Sequence, residues 1–188
     1  MTDATTRIAF VGDSLIEGGN WDEWIDDEVI NHGVGGATTD DVLARIERIV
    51  DADPDEVVLL VGTNDLSARR SVEHVVRNVE TIMVTLRRDL PGARLLLVSI
   101  PPRGREFADR IQDANRHLRQ FVATVHGQYL DLWPVLALED GELSPEYTED
   151  RLHFSTAGYE AVLGELRPAL ERLREQPPMS GAIRLPGY

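Results

Sequence analysis

The stretch Glu56-Val57-Val58-Leu59-Leu60-Val61, followed at once by Gly62-Thr63-Asn64-Asp65, decides the fold class. Its apolar residues occupy both faces of a strand-length run, which is typical of a central strand in a parallel sheet covered by helices on both sides. The breaker Asp53-Pro54-Asp55 precedes the run, and Gly62 ends it. The sequence therefore predicts a buried parallel strand with polar residues at its carboxyl end.

Short apolar runs and longer amphipathic stretches alternate on both sides of this strand. We predict further strands at 7–11, 29–31, 94–100 and 128–132. We predict helices near 15–28, 39–50, 71–88, 105–126 and 156–174. This alternation is typical of repeated βα units, so we predict an α/β protein with helices packed on both faces of one parallel sheet.

The chain length predicts one domain. With 188 residues, of which 42% are hydrophobic, the chain can fill one substantial core. Residues 1–175 are predicted to form this domain. Residues 176–188 contain proline and glycine without periodicity, which predicts an extended C-terminal tail.

Residue types that the sequence lacks exclude several kinds of chemistry. There is no cysteine, so disulfides, thiolate metal sites and cysteine nucleophiles are excluded. All 19 basic residues are arginine, so a P-loop lysine, a Schiff base and a Ser-Lys dyad are excluded as well. No metal-ligand pattern is visible in the sequence, and we expect neither a metal nor a cofactor.

The charge and the terminal sequence bear on partners and location. With 33 acidic residues the net charge is −14, which repels a polyanion, so we do not expect a nucleic-acid partner. The N-terminus has no basic segment followed by a long apolar run, so we expect a cytoplasmic protein. The longest apolar runs have strand length, far short of the roughly 20 residues that span a bilayer, so no membrane span is expected.

The ends of the first two strands carry candidate functional residues, because ligands of α/β proteins bind at the carboxyl ends of strands. Ser14 in Gly12-Asp13-Ser14 is either a helix cap or a nucleophile at a helix N-terminus. The glycine-rich turn Asn31–Thr39 either needs positive φ angles or offers a bare backbone N–H to a ligand. A dinucleotide loop is disfavoured, because Thr38 stands where a third glycine is required.

Two more clusters complete a set of reactive groups. Asn64 either caps the next segment or offers its amide to an oxyanion. Asp150 and His153 are three residues apart, so a turn can bring the carboxylate to the imidazole Nδ1. A serine, a glycine N–H, an asparagine amide and an Asp-His pair are the groups that nucleophilic acyl transfer requires. The remaining histidines are interpreted as surface or core residues: His32, His74, His117 and His126.

Four sequence blocks resemble, in order and spacing, those of the SGNH hydrolases, also called the GDSL esterase/lipase family. The blocks are Gly12-Asp13-Ser14-Leu15, Gly33-Val34-Gly35-Gly36, Gly62-Thr63-Asn64-Asp65 and Asp150-Arg151-Leu152-His153. The match covers roughly residues 7–165. The resemblance implies a three-layer α/β/α sandwich, flavodoxin-like, with a five-stranded parallel sheet.

Two segments between these blocks, Tyr129-Leu130-Asp131-Leu132 and Leu143-Ser144-Pro145-Glu146-Tyr147, also resemble one branch of the family. This branch contains small acetylhydrolases and carbohydrate O-acetylesterases.

The resemblance also implies a role for each matched residue. Ser14 is implied as the nucleophile, His153 as the general base and Asp150 as the partner that orients the base. The oxyanion hole is implied at the N–H groups of Ser14, Gly36 and Asn64. No metal ligand is implied.

Three positions in or directly after these blocks need comment. Gly36 is chosen over Gly35 by aligning the second block on Asn31, and Gly35 is the alternative. Many relatives have Asp where this chain has Ala37, and many have Pro where it has Phe154. Neither position carries a catalytic group, so these departures bear on substrate preference and not on the reaction.

The expected function is a serine esterase that hydrolyses small or short-acyl carboxylic esters through an acyl-enzyme on Ser14. Because the base is an imidazole, activity should rise with pH through the range where histidine ordinarily loses its proton, about 6.5. The chain has little length for a lid, so we expect an open cleft. Two alternatives remain: a thioesterase or lysophospholipase acting on longer acyl chains, and a catalytically silent binding domain of the same fold.

Two pairs of side chains could also contact a substrate. Trp21 and Trp24, three apart in the predicted first helix, fit the core better than a substrate pocket. Arg103 or Arg105, after the fourth strand, could contact an anionic substrate, although a solvated surface position is the simpler interpretation.

Overall fold

Five parallel strands form a single sheet in the computed structural model, which describes residues 5–176. The order across the sheet is β2-β1-β3-β4-β5, and all neighbouring strands are parallel. The predicted five-stranded parallel sheet with flavodoxin-like strand order is therefore confirmed. The strands are β1 (Arg7–Gly12), β2 (Glu28–Gly33), β3 (Glu56–Leu60), β4 (Arg94–Val98) and β5 (Gln128–Leu130).

Helices cover both faces of the sheet. They are α1 (Ser14–Glu17), α2 (Trp21–Trp24), α3 (Thr39–Ala44), α4 (Ile46–Asp51), α5 (Thr63–Ser67), α6 (Val72–Asp89), α7 (Ala108–Val122), α8 (Trp133–Leu136) and α9 (Thr156–Glu175). Short 3₁₀ segments at Arg105–Phe107 and Ala123–Val125 flank α7.

Alternate residues along the strands face two separate cores. Ile8 and Phe10 of β1 pack in the core covered by α1, α2, α8 and α9. Ala9 and Val11 pack in the core covered by α3, α4, α6 and α7. Every residue of β3 is buried, as predicted for a central strand. The two cores make the molecule a three-layer α/β/α sandwich.

The predicted continuous helix over 15–28 is wrong, because two single turns, α1 and α2, occupy this stretch before β2 begins. Gly18 and Gly19 separate the turns, since glycine loses the most backbone entropy on entering a helix. The side chain of Trp21 stabilises the break: its Nε1 donates a 2.7 Å hydrogen bond to the carbonyl oxygen of Ile16.

Other predicted elements also end at different residues. The predicted strands at 94–100 and 128–132 each end two residues earlier than expected. Beyond these ends a side-chain hydrogen bond replaces the backbone pairing of the two strands. Ser99, just after β4, accepts a 2.9 Å hydrogen bond at its Oγ from the N–H of Leu132, just after β5. The predicted helix at 105–126 is α7 with a 3₁₀ segment at each end. These ends depend on side-chain bonds and turns that periodicity does not register.

A buried carboxylate at the start of β3 anchors the last helix. Glu56 is fully buried, and its two carboxylate oxygens accept hydrogen bonds of 2.9 Å from Nε and Nη2 of Arg174. Arg174 Nη2 also donates to Asp27 at 2.6 Å. The last turn of α9 is thereby fixed to the sheet and to the segment before β2.

The predicted tail at 176–188 lies outside the described residues, except for Gln176 at the end of α9. Within residues 5–176, no helix combines the length and the apolar character that crossing a membrane requires.

Candidate active site

The candidate site lies where the strand order reverses. The chain passes from β1 to β2 on one side of β1 and then to β3 on its other side, so the carboxyl end of β1 is the switch point of the sheet. Ligands of open α/β sheets bind in the crevice at this point. The segments after β1, β2 and β3 lie here, together with the loop that carries His153.

Ser14 is the first residue of α1, directly after β1. Asp13 caps this helix, because its Oδ1 accepts a 2.9 Å hydrogen bond from the Leu15 N–H. The Ser14 hydroxyl is left for His153, whose Nε2 lies 3.1 Å from Ser14 Oγ. The helix cap is therefore Asp13 and not Ser14. The Ser14 hydroxyl is free to act as a nucleophile.

One carboxylate organises the turn that carries His153. Asp150 Oδ1 accepts hydrogen bonds from the N–H groups of Leu152, at 2.9 Å, and His153, at 2.7 Å. Asp150 Oδ2 lies 2.6 Å from His153 Nδ1. Because an ionised carboxylate can only accept, Nδ1 carries the proton and Nε2 is the acceptor that faces Ser14. The hydrogen bond from His153 holds the pKa of Asp150 well below its usual range, so this carboxylate is ionised at neutral pH.

Thr148 is a buried residue of this turn that the sequence analysis missed. Its Oγ1 donates a 2.7 Å hydrogen bond to the carbonyl oxygen of His153. Its backbone forms an isolated antiparallel bridge with Phe154, so the turn is closed on both sides of the Asp-His pair. A threonine in a loop carries no periodic signal, and only its position two residues before Asp150 could have drawn attention to it.

The glycine-rich turn after β2 is joined to the start of α5. Asn64 lies inside α5 and does not cap it; its Nδ2 donates a 2.9 Å hydrogen bond to the carbonyl oxygen of Ala37. Gly36 has a φ of 73°, in the left-handed region that favours glycine. A Cβ atom on Gly33 would lie 2.2 Å from the backbone nitrogen of Glu17, so only glycine lets α1 pack against this turn.

Several N–H groups around Ser14 have no acceptor among residues 5–176. They are the backbone N–H groups of Ser14, Gly35 and Gly36 and the second Nδ2 hydrogen of Asn64. Free N–H groups at a helix N-terminus or in a tight turn favour bound negative charge. Because the N–H groups of both Gly35 and Gly36 are free, the hydrogen bonds do not show which of the two would bind an anion.

Asp13 is fully buried beside Ser14. Its Oδ2 has no hydrogen-bond partner among the described residues. The pKa of Asp13 is raised from 3.8 to about 7, chiefly by burial. The nearby charge of Asp65 contributes to this rise, and the hydrogen bond from the Leu15 N–H opposes it. The residue next to Ser14 is therefore a carboxyl group that titrates near neutral pH.

Buried hydrogen bonds fix the chain behind the two turns. Asp65 is fully buried, and it accepts a 2.9 Å bond from the Thr39 N–H and a 2.5 Å bond from Thr39 Oγ1. Arg45 Nη2 donates a 2.7 Å bond to the carbonyl oxygen of Gly12, at the end of β1. Arg45 also separates α3 from α4, which the sequence analysis predicted as one helix over 39–50.

One group of potential metal ligands occurs within residues 5–176. Side-chain ligand atoms of Asp40, Asp65 and His74 lie within 4.8 Å of one another. Each is already bonded: Asp65 to Thr39, and Asp40 to His74 at 3.0 Å and to Asn78 at 2.8 Å. Protein hydrogen bonds therefore account for this group, which the sequence spacing did not suggest.

The tryptophans are placed as the core interpretation predicted. Trp21 is 3% exposed, and its ring stacks on Phe10 with 4.6 Å between centroids. Trp24 is partly exposed and packs edge-on against Trp21 at 5.5 Å. Neither is bonded to Ser14 or His153.

Arg103 differs from the solvated surface arginine that the sequence analysis favoured. Its Nη1 donates 3.2 Å hydrogen bonds to the carbonyl oxygen and to Oγ1 of Thr63. Its guanidinium lies 4.1 Å from the ring centroid of Phe107. Arg105 matches the surface interpretation, since it is exposed and its closest acid, Asp140, is 3.8 Å away.

The arrangement is suited to proton transfer at a serine. A hydroxyl, an imidazole and an ionised carboxylate are hydrogen bonded in series, and free N–H groups flank the hydroxyl. The side chains of His153 and Asp150 are 52% and 53% exposed, so the row is open to solvent. A groove of about 630 Å³ beside His153 is lined by the residues on either side of it, among them Glu149, Phe154 and Thr156.

A flavodoxin-like parallel sheet with a serine, a histidine and an aspartate hydrogen bonded in series at its switch point is typical of one class of hydrolases. Residues 10–161 match the GDSL-like Lipase/Acylhydrolase family. The chain belongs to this family and is a carboxylic ester hydrolase.

Similar proteins cover most of the chain. The platelet-activating factor acetylhydrolase IB subunit alpha1 of Rattus norvegicus is 30% identical over 186 residues, covering 93% of this chain and 79% of the relative. Subunit alpha2 of Homo sapiens is 27% identical over 188 residues, covering 94% and 81%. A solved structure from Streptococcus pneumonia, provisionally named a platelet activating factor, has a TM-score of 0.77 and 27% identity, covering 90% of this chain and 86% of that one.

Proposed function

We propose that this protein is a serine esterase that hydrolyses small or short-acyl carboxylic esters through an acyl-enzyme on Ser14. One observation carries the proposal: Ser14, His153 and Asp150 form an uninterrupted row, with 3.1 Å between Oγ and Nε2 and 2.6 Å between Nδ1 and Oδ2. We assign the activity to a domain of residues 1–175.

Acylation begins at the Ser14 hydroxyl. Its oxygen attacks the ester carbonyl carbon while His153 Nε2 takes the hydroxyl proton, and the carbonyl oxygen becomes an oxyanion. The bond to the leaving alcohol then breaks, and the imidazolium returns its proton to that oxygen. Asp150 keeps Nε2 directed at Ser14 and stabilises the imidazolium, for which its ionised state is required.

Deacylation repeats these steps with water. His153 takes a proton from the water as it attacks the acyl carbon, and the bond between that carbon and Ser14 Oγ breaks. The proton passes to Ser14 Oγ, the carboxylic acid leaves, and the enzyme returns to its starting state.

The oxyanion is assigned to the N–H groups of Ser14 and Gly36 and to the amide of Asn64. The bond from Asn64 to Ala37 supports this assignment, because it fixes the amide against the glycine turn and uses only one of the two Nδ2 hydrogens. Gly35 remains the alternative backbone donor.

Two observations support small or soluble esters as substrates. The row of side chains is half exposed, and no element among residues 5–176 closes over it to bury a long acyl chain. The named relatives are acetylhydrolases, which remove a two-carbon acyl group. The net charge of −14 also favours neutral or cationic esters over anionic ones.

The test is hydrolysis of p-nitrophenyl acetate, butyrate and octanoate, with EDTA present. We compare the wild type with Ser14→Ala and with Ser144→Ala, a matched serine that lies outside the row. We expect the wild type and Ser144→Ala to hydrolyse the short esters, and we expect Ser14→Ala to show no hydrolysis. Activity should fall at acid pH, because a protonated imidazole cannot accept the Ser14 proton.

Other outcomes would select the alternatives. Preference for octanoyl esters, or for thioesters and lysophospholipids over acetyl esters, would favour a thioesterase or lysophospholipase. Equal inertness of folded wild type and Ser14→Ala on all of these substrates would favour a binding domain and contradict the proposal.

A further inference from the structure

The turn that carries His153 contains a residue in a costly backbone conformation. Arg151 has a φ of 65°, in the left-handed region where glycine is favoured and side chains with a Cβ atom are strained. Strain of this kind persists only when surrounding contacts compensate for it. We therefore expect the contacts of the Arg151 side chain to offset the cost of this backbone conformation.

Two acids from different parts of the chain bind this guanidinium. Arg151 Nε donates a 2.6 Å hydrogen bond to Glu142, and Nη2 donates a 3.1 Å bond to Glu106. The Glu142 side chain is only 22% exposed, so the shorter pair is partly shielded from water and salt. Glu106 is exposed, so its pair contributes less.

The same acids lie next to a segment that is bonded to the other half of the site. Glu142 forms an isolated parallel bridge with Arg103, and the Leu143 N–H donates a 2.9 Å bond to the Arg103 carbonyl oxygen. The Arg103 guanidinium in turn donates to Thr63, the residue before Asn64. A continuous series of contacts thus connects the Asp150–His153 turn with the segment that carries Asn64.

We propose that Arg151 is a positioning residue for ester hydrolysis, which holds His153 at bonding distance from Ser14 through its ion pairs with Glu142 and Glu106. The inference rests on the proposed function, in which His153 is the base. Asp150 and His153 are half exposed, so the ion pairs of Arg151 supplement the hydrogen bonds within the turn in fixing them. Arg151 itself touches neither substrate nor the reacting atoms.

The strained backbone supplies a discriminating set of variants. Arg151→Gly removes the guanidinium and also relieves the left-handed strain, so the fold should be no less stable. Arg151→Ala removes the guanidinium and keeps the backbone strain. Arg151→Lys keeps the positive charge but cannot donate to Glu142 and Glu106 from two separate nitrogen atoms. Arg69→Gly is the matched control, because Arg69 also has a positive φ, of 61°, and forms none of these ion pairs.

The readouts are kcat, KM and thermal midpoint. We expect Arg151→Gly and Arg151→Ala to lose about tenfold in kcat, as for a misplaced general base, with KM unchanged. Arg151→Lys should recover part of this loss, and Glu142→Gln should reproduce it.

The inference fails if Arg151→Gly keeps the wild-type kcat, if Arg69→Gly loses as much, or if kcat falls only in proportion to thermal stability. Failure of the proposed function gives a different result, since Ser14→Ala would then match the wild type, whether both are active or both inert, whatever the Arg151 variants do.

Discussion

The two sides of the candidate site are held in different ways. On the nucleophile side, Ser14 follows the buried strand β1, and Asp13 and Leu15 beside it are fully or almost fully buried. On the base side, Asp150 and His153 are half exposed and held mainly by polar contacts. The sheet therefore places the serine, whereas a few hydrogen bonds and ion pairs place the base.

The largest expected effect is on the base side, from Asp150→Asn. The neutral amide cannot stabilise an imidazolium and can favour the wrong tautomer, so kcat should fall by about 10⁴. The retained Oδ1 can still accept the Leu152 and His153 N–H groups, so thermal stability should change little. Glu149→Gln removes the neighbouring charge and serves as the control. A loss of less than about tenfold would show that the base does not depend on this carboxylate.

The next effect is expected from Asn64→Ala, between the two sides. Loss of one oxyanion donor should lower kcat by about 10²–10³, equivalent to about 3–4 kcal/mol, with little change in KM. Asn78→Ala is the matched control, because it removes an amide that bonds Thr39 and Asp40 nearby. Unchanged turnover in Asn64→Ala would remove this residue from the oxyanion hole.

On the nucleophile side, the expected effect of Asp13→Asn is on stability. Burial raises the pKa of Asp13 to about 7, so the folded chain holds this proton where the unfolded chain has lost it. Stability is therefore lost as pH rises from the ordinary value of 3.8 towards about 7, and the loss is complete above that. Between about pH 5 and pH 8 the wild type should lose roughly 2–3 kcal/mol relative to Asp13→Asn.

Urea unfolding of both proteins at the two pH values measures this difference. The asparagine side chain can still cap α1, so the variant isolates the titration from the loss of the cap. Parallel dependence on pH in wild type and variant would mean that Asp13 does not titrate in this range.

The smallest expected effect concerns the contact between α9 and the nucleophile turn. Tyr159 donates a 3.0 Å hydrogen bond to the Leu15 carbonyl oxygen, and burial raises its pKa to about 12, so it remains a donor at working pH. Tyr159→Phe should lower the free energy of unfolding by about 1 kcal/mol and leave kcat nearly unchanged. Tyr147→Phe is the control, and equal destabilisation of both would contradict a specific role for this bond.

The parts of the fold that could be predicted are those whose hydrophobic pattern lies within a single strand or helix. The buried run at Glu56–Val61 and its neighbours specify five parallel strands, because their apolar residues repeat along single elements. The continuous helix over 15–28 could not be judged correctly from periodicity. Its break depends on Gly18-Gly19 and on a bond from Trp21 to the end of α1, which is a contact between elements.

The candidate site could be predicted where reactive residues follow strands. Ser14, Asn64 and the Asp150–His153 pair lie at chain positions that the strand pattern brings to one edge of the sheet. The supporting contacts could not be predicted, because they join distant segments. Arg151 and Glu106 are 45 residues apart, and the burial that raises the pKa of Asp13 arises only when the chain is folded.

Hydrolysis through an acyl-enzyme requires that Ser14 is the residue that becomes acylated. The most direct measurement is peptide mass mapping after reaction with a fluorophosphonate, which traps an activated serine covalently. We predict a single adduct on the peptide that contains Ser14, no adduct in Ser14→Ala, and slow labelling in His153→Gln. An adduct on another serine, or equal labelling of Ser14→Ala, would contradict it.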